Sequence, residues 1–223
     1  MTREEFCVAH WDYYMVLEKD FLETERYLTI ELGDNYLYDT GAIPSDPANS
    51  LAFSVEFIKQ YQAICSEVDV IMKSICTMLG NANANTMPQY TSTIFASPKW
   101  SNIGNQKVQI KEIELHPFKN WAANPYNPPA WWPLYNDVKH KRLSNLREAN
   151  LKNVVNALAG LYVLENYFVK YIAGETGDID VIDVPSDKSY LFQMINWKTI
   201  WTVSGKDEYA IPEHAIKKMF AEK

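Results

Sequence analysis

The chain has 223 residues, 47% hydrophobic, 22% charged and 13% aromatic, with 7 Trp and 14 Tyr, which excludes a disordered polymer and allows one generous core. A formal net charge of -7 and a pI near 5.2 exclude broad attraction to phosphate backbones, so any nucleic-acid contact must be local. Cys7, Cys65 and Cys76 cannot all pair, and no Cys-x-x-Cys spacing is present, which predicts a reducing compartment and thiols used as small apolar packing groups.

Met1 to Phe6 lack the apolar stretch of a signal peptide, and the most hydrophobic later segment is interrupted by Lys152, Glu165 and Lys170; a cytoplasmic protein without a membrane span is expected. From Trp11 to about Ile30, Tyr14, Leu17, Phe21 and Leu28 recur among Glu18, Lys19, Glu23 and Glu25 at helical spacing. Gly33-Asp34-Asn35 ends this first helix, and the stretch from Gly41 to Asn49, with Pro44 and Pro47, reads as a loop. Asn49 or Ser50 can cap a second helix reaching Leu79, along which Phe57, Tyr61, Ile64, Val68, Ile71, Ile75 and Met78 alternate by steps of four and three. Other amphipathic helices in the chain make this seam a bundle stripe rather than a coiled-coil dimer, and Gly80-Asn81 closes it.

The texture then changes. Thr91 to Phe95 and Lys107 to Ile110 are β-prone and predict a hairpin, with a bulge where the alternation shifts phase between Lys111 and Leu115. Pro117, Pro125, Pro128 and Pro129 lead through a loop holding Trp121, Tyr126, Trp131 and Trp132, and residues 82–132 read as an insertion. Pro133 suits the first turn of a helix through His140. Asn150 can cap a strong helix containing Leu151, Val154, Val155, Leu158, Leu161, Leu164, Phe168 and Ile172, stopped by Gly174; Gly160 inside it predicts close approach of another helix. Val181 to Val184 and Ser189 to Ile195 read as short extended pieces, and Pro212 to Phe220 as a last short helix. The expectation is a single, mainly α domain over 1–223, with the insertion at 82–132 and an irregular C-terminal extension over 175–223.

The densest chemical signal runs from Trp131 to Arg142, in which Tyr135-Asn136-Asp137-Val138-Lys139-His140 leads towards the strongly apolar helix that begins near Asn150. This Tyr-Asn-x-x-Lys-His region resembles the motif region of the HEPN superfamily of antiparallel helical bundles, over the paired segments 50–79 and 133–173. Active HEPN ribonucleases carry an Arg, four to six intervening residues and a His. The His moves a proton between the ribose 2′-OH and the leaving oxygen while Arg neutralises phosphate charge, without a metal. Other members are non-catalytic nucleotide- or protein-binding modules. The resemblance implies His140 at the His position and Asn136 at the polar position, but the places open to the Arg hold Pro133, Leu134 and Tyr135, and Arg142 follows His140 instead.

Three readings follow. One is a HEPN-like binding or regulatory module, homodimeric, of the kind found in toxin–antitoxin or phage-defence systems, with RNA, a nucleotide or a protein as partner. Another is a metal-independent ribonuclease using His140 and Asn136 with Arg142 or Lys139 at phosphate. The last is a helical protein with no site at His140. Tyr135 and Lys139 form a second pair one turn apart, and Glu67 and Asp69 are candidates to orient the His140 and Lys139 face, unless Asp69 pairs with Lys73. Trp131 and Trp132, with Trp121 and Tyr126, either stack nucleobases or plug the end of the bundle. His116 and His214 lack ligand spacing with other His or carboxylate residues, and no Gly-rich phosphate loop or His-Glu-x-x-His pattern occurs, so neither metal nor cofactor is expected.

Overall fold

In the computed structural model, residues 1–38, 49–100, 102–176, 188–203 and 207–212 are described; the protein is mainly helical, with small antiparallel sheets. The extended piece expected over 181–184 and the helix expected beyond Pro212 lie outside these residues. Among the described residues, no helix is long and apolar enough to cross a membrane.

The first helical run begins earlier than Trp11 because Thr2 and Glu5 form a reciprocal cap. The Thr2 hydroxyl accepts from the Glu5 amide at 3.2 Å, and the Glu5 carboxylate accepts from the Thr2 amide at 2.8 Å. Helix α1 (Arg3–Phe6), a π-helical turn (Cys7–Trp11) and α2 (Asp12–Thr24) then follow without a break. Phe6, His10, Tyr14, Leu17 and Phe21 are its buried stripe.

Ser54, rather than Asn49 or Ser50, caps α3 (Val55–Met78): its hydroxyl accepts from the Phe57 amide at 3.0 Å, while Ser50 lies in a 3-10 turn. The heptad seam is buried from Phe57 to Ile75, and Met78 packs against it from the edge. Gly80, at φ +89°, allows the Asn81 and Gly80 amides to donate to the Cys76 and Thr77 carbonyls at 2.8 and 3.1 Å, which closes the helix.

The strand expected at Thr91 to Phe95 is instead helix α4 (Met87–Ala96), a correction with a local cause. Pro88 sits in the first turn, and the Thr91 and Thr93 hydroxyls donate to the Met87 and Gln89 carbonyls at 2.8 and 2.9 Å, so the polar groups of these β-prone residues are satisfied within a helix. Tyr90, Thr91 and Ile94 then bury one helical face, and that packing outweighs intrinsic propensity. The expected bulge is a tight turn. Lys111, at φ +51°, and Glu112 join β1 (Val108–Ile110) to β2 (Ile113–Leu115) with Ile110 opposite Ile113. A second small pair, β3 (Ala122–Ala123) and β4 (Tyr126–Asn127), lies in the Pro-rich region.

Helix α5 (Trp131–His140) is followed by the single turn of α6 (Arg142–Asn145) and then by α7 (Leu151–Thr176). Asn150 caps α7 through its side-chain oxygen, which accepts from the Asn153 amide at 3.0 Å, and the helix continues past Gly174. α3 and α7 form the central helix pair. Gly160 is required because a Cβ there would lie 2.8 Å from the Trp131 ring, which packs directly on α7. Trp131 is fully buried; its indole donates to the Pro117 carbonyl at 2.8 Å, and the Tyr61 hydroxyl donates to the Trp131 carbonyl. The aromatic loop therefore seals the helices at this point.

Residues 188–194 return to the body of the protein. β5 (Gln193–Met194) adds to β1, and the Glu18 carboxylate, buried on α2, receives the Ser189 hydroxyl, the Tyr190 and Leu191 amides at 3.2 and 2.8 Å, and the Tyr14 hydroxyl at 3.2 Å. The C-terminal part also holds a hairpin absent from the sequence expectation, β6 (Lys198–Val203) with β7 (Asp207–Pro212).

Candidate functional sites

The residues singled out from sequence divide between surface and core. Lys139 and His140 fall in the last turn of α5, where the outward-facing carbonyl ends favour positive charge, and both are exposed. The helix stops there because Lys141 adopts φ -134° and ψ 46°, so Arg142 starts a new turn rather than lying on the far side of the same helix. Lys141 and Arg142 are exposed as well, as is Leu143 at 92%. Among the described residues none of these four basic side chains has a carboxylate partner; Lys139 reaches back over the Tyr135 ring, 5.5 Å from its centre. Asn136, one turn before His140, is half-buried.

The other members go inward. Tyr135 is buried edge-on against Tyr61, and burial is the main cause of its raised phenol pKa. Trp132 is half-buried against Tyr135 and Trp131, and the fully buried Trp131 ring is inaccessible to a stacked base. Asp69 accepts from Tyr90 at 2.8 Å and from Lys73 at 2.5 Å, which is the local pairing weighed against a role beside His140. Glu67 is directed to His10, on the N-terminal run, and not to α5.

That contact belongs to a cluster not foreseen from sequence. His10 from the π turn, Glu67 from α3 and Glu165 from α7 place one side-chain donor atom each within 4.8 Å of one another, and all three residues are buried. The His10 Nδ1 to Glu67 Oε1 distance is 3.2 Å. Glu165 is 0% exposed, and among the described residues neither of its carboxylate oxygens has a hydrogen-bond partner. Burial first, and the Glu67 charge second, push Glu165 well above the ordinary carboxylate range. Phe6 and Phe168 pack their rings against His10 at 5.8 and 5.7 Å between centres, which holds water away from the group.

The sequence carries a signal for this cluster. His10 stands in the apolar register Phe6, His10, Tyr14, and Glu165 stands in the register Leu161, Glu165, Phe168, Ile172. A titratable side chain in phase with a buried stripe is the sequence mark of an interior polar site.

A separate cleft of about 400 Å³ opens among Trp100, Tyr167, Tyr171 and Trp197, where Lys99 and Lys170 lie over the Tyr171 and Trp197 rings at 5.0 and 4.2 Å. None of the α5 residues lines it. No family model, curated protein or solved structure matches the chain.

Proposed function

We propose that this protein is a HEPN-like binding module that engages a phosphate-bearing partner, RNA being the class the resemblance favours, through the basic end of α5. One observation carries the reading: Lys139, His140, Lys141 and Arg142 are all exposed at a helix break and lack carboxylate partners among the described residues, in a chain of net charge -7. A local cationic cluster of this kind can gain affinity by displacing counterions from phosphates, whereas the acidic remainder of the chain restricts contact to that end. Asn136 supplies an adjacent amide for a base or sugar edge. The same resemblance implies a homodimer, for which Leu143 is an exposed apolar contact beside the site.

The test is titration of single-stranded RNA into the full chain at several salt concentrations. Binding that weakens with salt, and that a double Lys141→Glu, Arg142→Glu variant loses by about tenfold or more, supports the reading. Equal binding by variant and wild type, or no binding at low salt, overturns it.

A metal-independent ribonuclease is the second reading, favoured by the break at Lys141, which frees Arg142 from the far side of the helix bearing His140. Cleavage of structured RNA by wild type and not by His140→Ala supports it; equal cleavage by both, or none by either, removes it.

A further inference from the structure

We propose that His10, Glu67 and Glu165 form an interior binding site for one divalent first-row transition-metal ion. None of the three belongs to the exposed basic cluster at the end of α5, so this proposal and the α5 reading can fail separately.

The first ground is the orphaned carboxylate. Glu165 is wholly buried, with two oxygens that no donor among the described residues satisfies, and it faces Glu67, 7% exposed. A buried carboxyl group without a hydrogen-bond partner is costly in either protonation state, and most of all when ionised beside a second carboxylate. The arrangement becomes favourable once a positive charge enters. Two carboxylates and one imidazole around a divalent ion make a group with no net charge.

Geometry is the second ground. At metal–ligand bonds of about 2.0–2.2 Å, tetrahedral or octahedral ligands lie roughly 3.0–3.5 Å apart. His10 Nδ1 and Glu67 Oε1 are 3.2 Å apart, and all three donor atoms lie within 4.8 Å of one another, so closure round an ion needs only small side-chain movement. Because neither Glu165 oxygen has a partner among the described residues, that residue can chelate through the pair and bring the protein donors to four.

Third, the donors come from rigid elements. Glu67 and Glu165 are interior positions of α3 and α7, the central helix pair, and His10 stands in a π-helical turn. Such turns widen a helix locally and are enriched at functional sites. One nitrogen and carboxylate oxygens suit zinc, manganese or ferrous iron, while the imidazole and small donor number disfavour calcium, which takes six to eight oxygens.

Cobalt(II) is the probe. Tag-free full-length protein is stripped with a chelator, dialysed and titrated with cobalt, with absorption in the visible region as the readout and zinc as competitor. One cobalt per chain, displaced by zinc, is expected. Glu165→Gln and His10→Ala should each weaken binding by about tenfold or more, and Asp69→Asn should bind as wild type does. X-ray absorption of the wild-type complex, which needs no variant to fold, should show one imidazole and otherwise oxygen ligands. Folded wild type that takes up no ion, Glu165→Gln that binds as tightly as wild type, or a sulfur ligand overturns the proposal.

Discussion

Two glutamates, Glu18 on α2 and Glu165 on α7, are both 0% exposed, yet their surroundings are opposite. Glu18 receives two hydroxyls and two backbone amides, and through them it fastens residues 189–191 to the helical body. Glu165 receives none among the described residues, and stands beside Glu67 and His10. An interior carboxylate whose oxygens are saturated by the fold is structural. One whose oxygens are open, with further donor atoms converging on it, is suited to something that is not part of the fold.

The comparison breaks most readily at Glu18. Glu18→Ala leaves the Leu191 and Tyr190 amides and the Ser189 and Tyr14 hydroxyls without their acceptor, and each buried orphan costs about 1–3 kcal/mol. A loss of about 3–5 kcal/mol in denaturant unfolding is expected, together with faster proteolysis near residues 188–194. Unchanged stability would remove Glu18 as a fastener.

Glu165 should respond with the opposite sign. In protein stripped of metal, Glu165→Met replaces an unsatisfied carboxylate by an apolar group of similar size, and stability should rise by about 1–4 kcal/mol. A fall of that size would mean that Glu165 already has its partners. Leu158, fully buried on α7, gives the reference for ordinary packing in the same helix, since Leu158→Ala should cost about 2–5 kcal/mol whether or not metal is present.

Three phenols add a pH dependence. Tyr14 is raised well above the ordinary phenol pKa of 10.0, by burial first and the Glu18 charge second; Tyr38 and Tyr61 are raised chiefly by burial. These phenols hold their protons more tightly folded than unfolded, so the stability they contribute is complete below pH 10 and is lost as pH rises towards their folded values. Absorbance near 295 nm should show Tyr14, Tyr38 and Tyr61 ionising only as the protein unfolds. Ionisation of all tyrosines in one early step would contradict their burial.

The smallest effect belongs to α5. His140→Ala, at an exposed helix end, should leave the unfolding midpoint unchanged while weakening RNA binding several-fold. A large stability loss would mean that the imidazole belongs to the fold.

The helices were legible where one apolar period governs a long segment. The seam from Phe57 to Met78 and the Asn150 cap of α7 follow directly from residue spacing, and the steric demand at Gly160 is met by Trp131. α4 was not legible, because threonines that look β-prone alone can satisfy their hydroxyls on the preceding turn once Tyr90 and Ile94 are buried together. The α5 residues could be chosen because they are adjacent in sequence. His10, Glu67 and Glu165 could not be found by ligand spacing, since they are contributed by three separate helical segments, and only packing brings positions 10, 67 and 165 together. The expectation of no metal rested on that spacing, and the converging cluster is the reason to test it.

Anomalous diffraction from crystals grown with zinc, recorded on both sides of the zinc absorption edge, tests the orphaned carboxylate most directly. A single strong peak within bonding distance of His10 Nδ1 and the Glu67 and Glu165 carboxylates is the predicted result. Density there showing only a carboxyl–carboxylate hydrogen bond, with no anomalous signal under zinc excess, would contradict it.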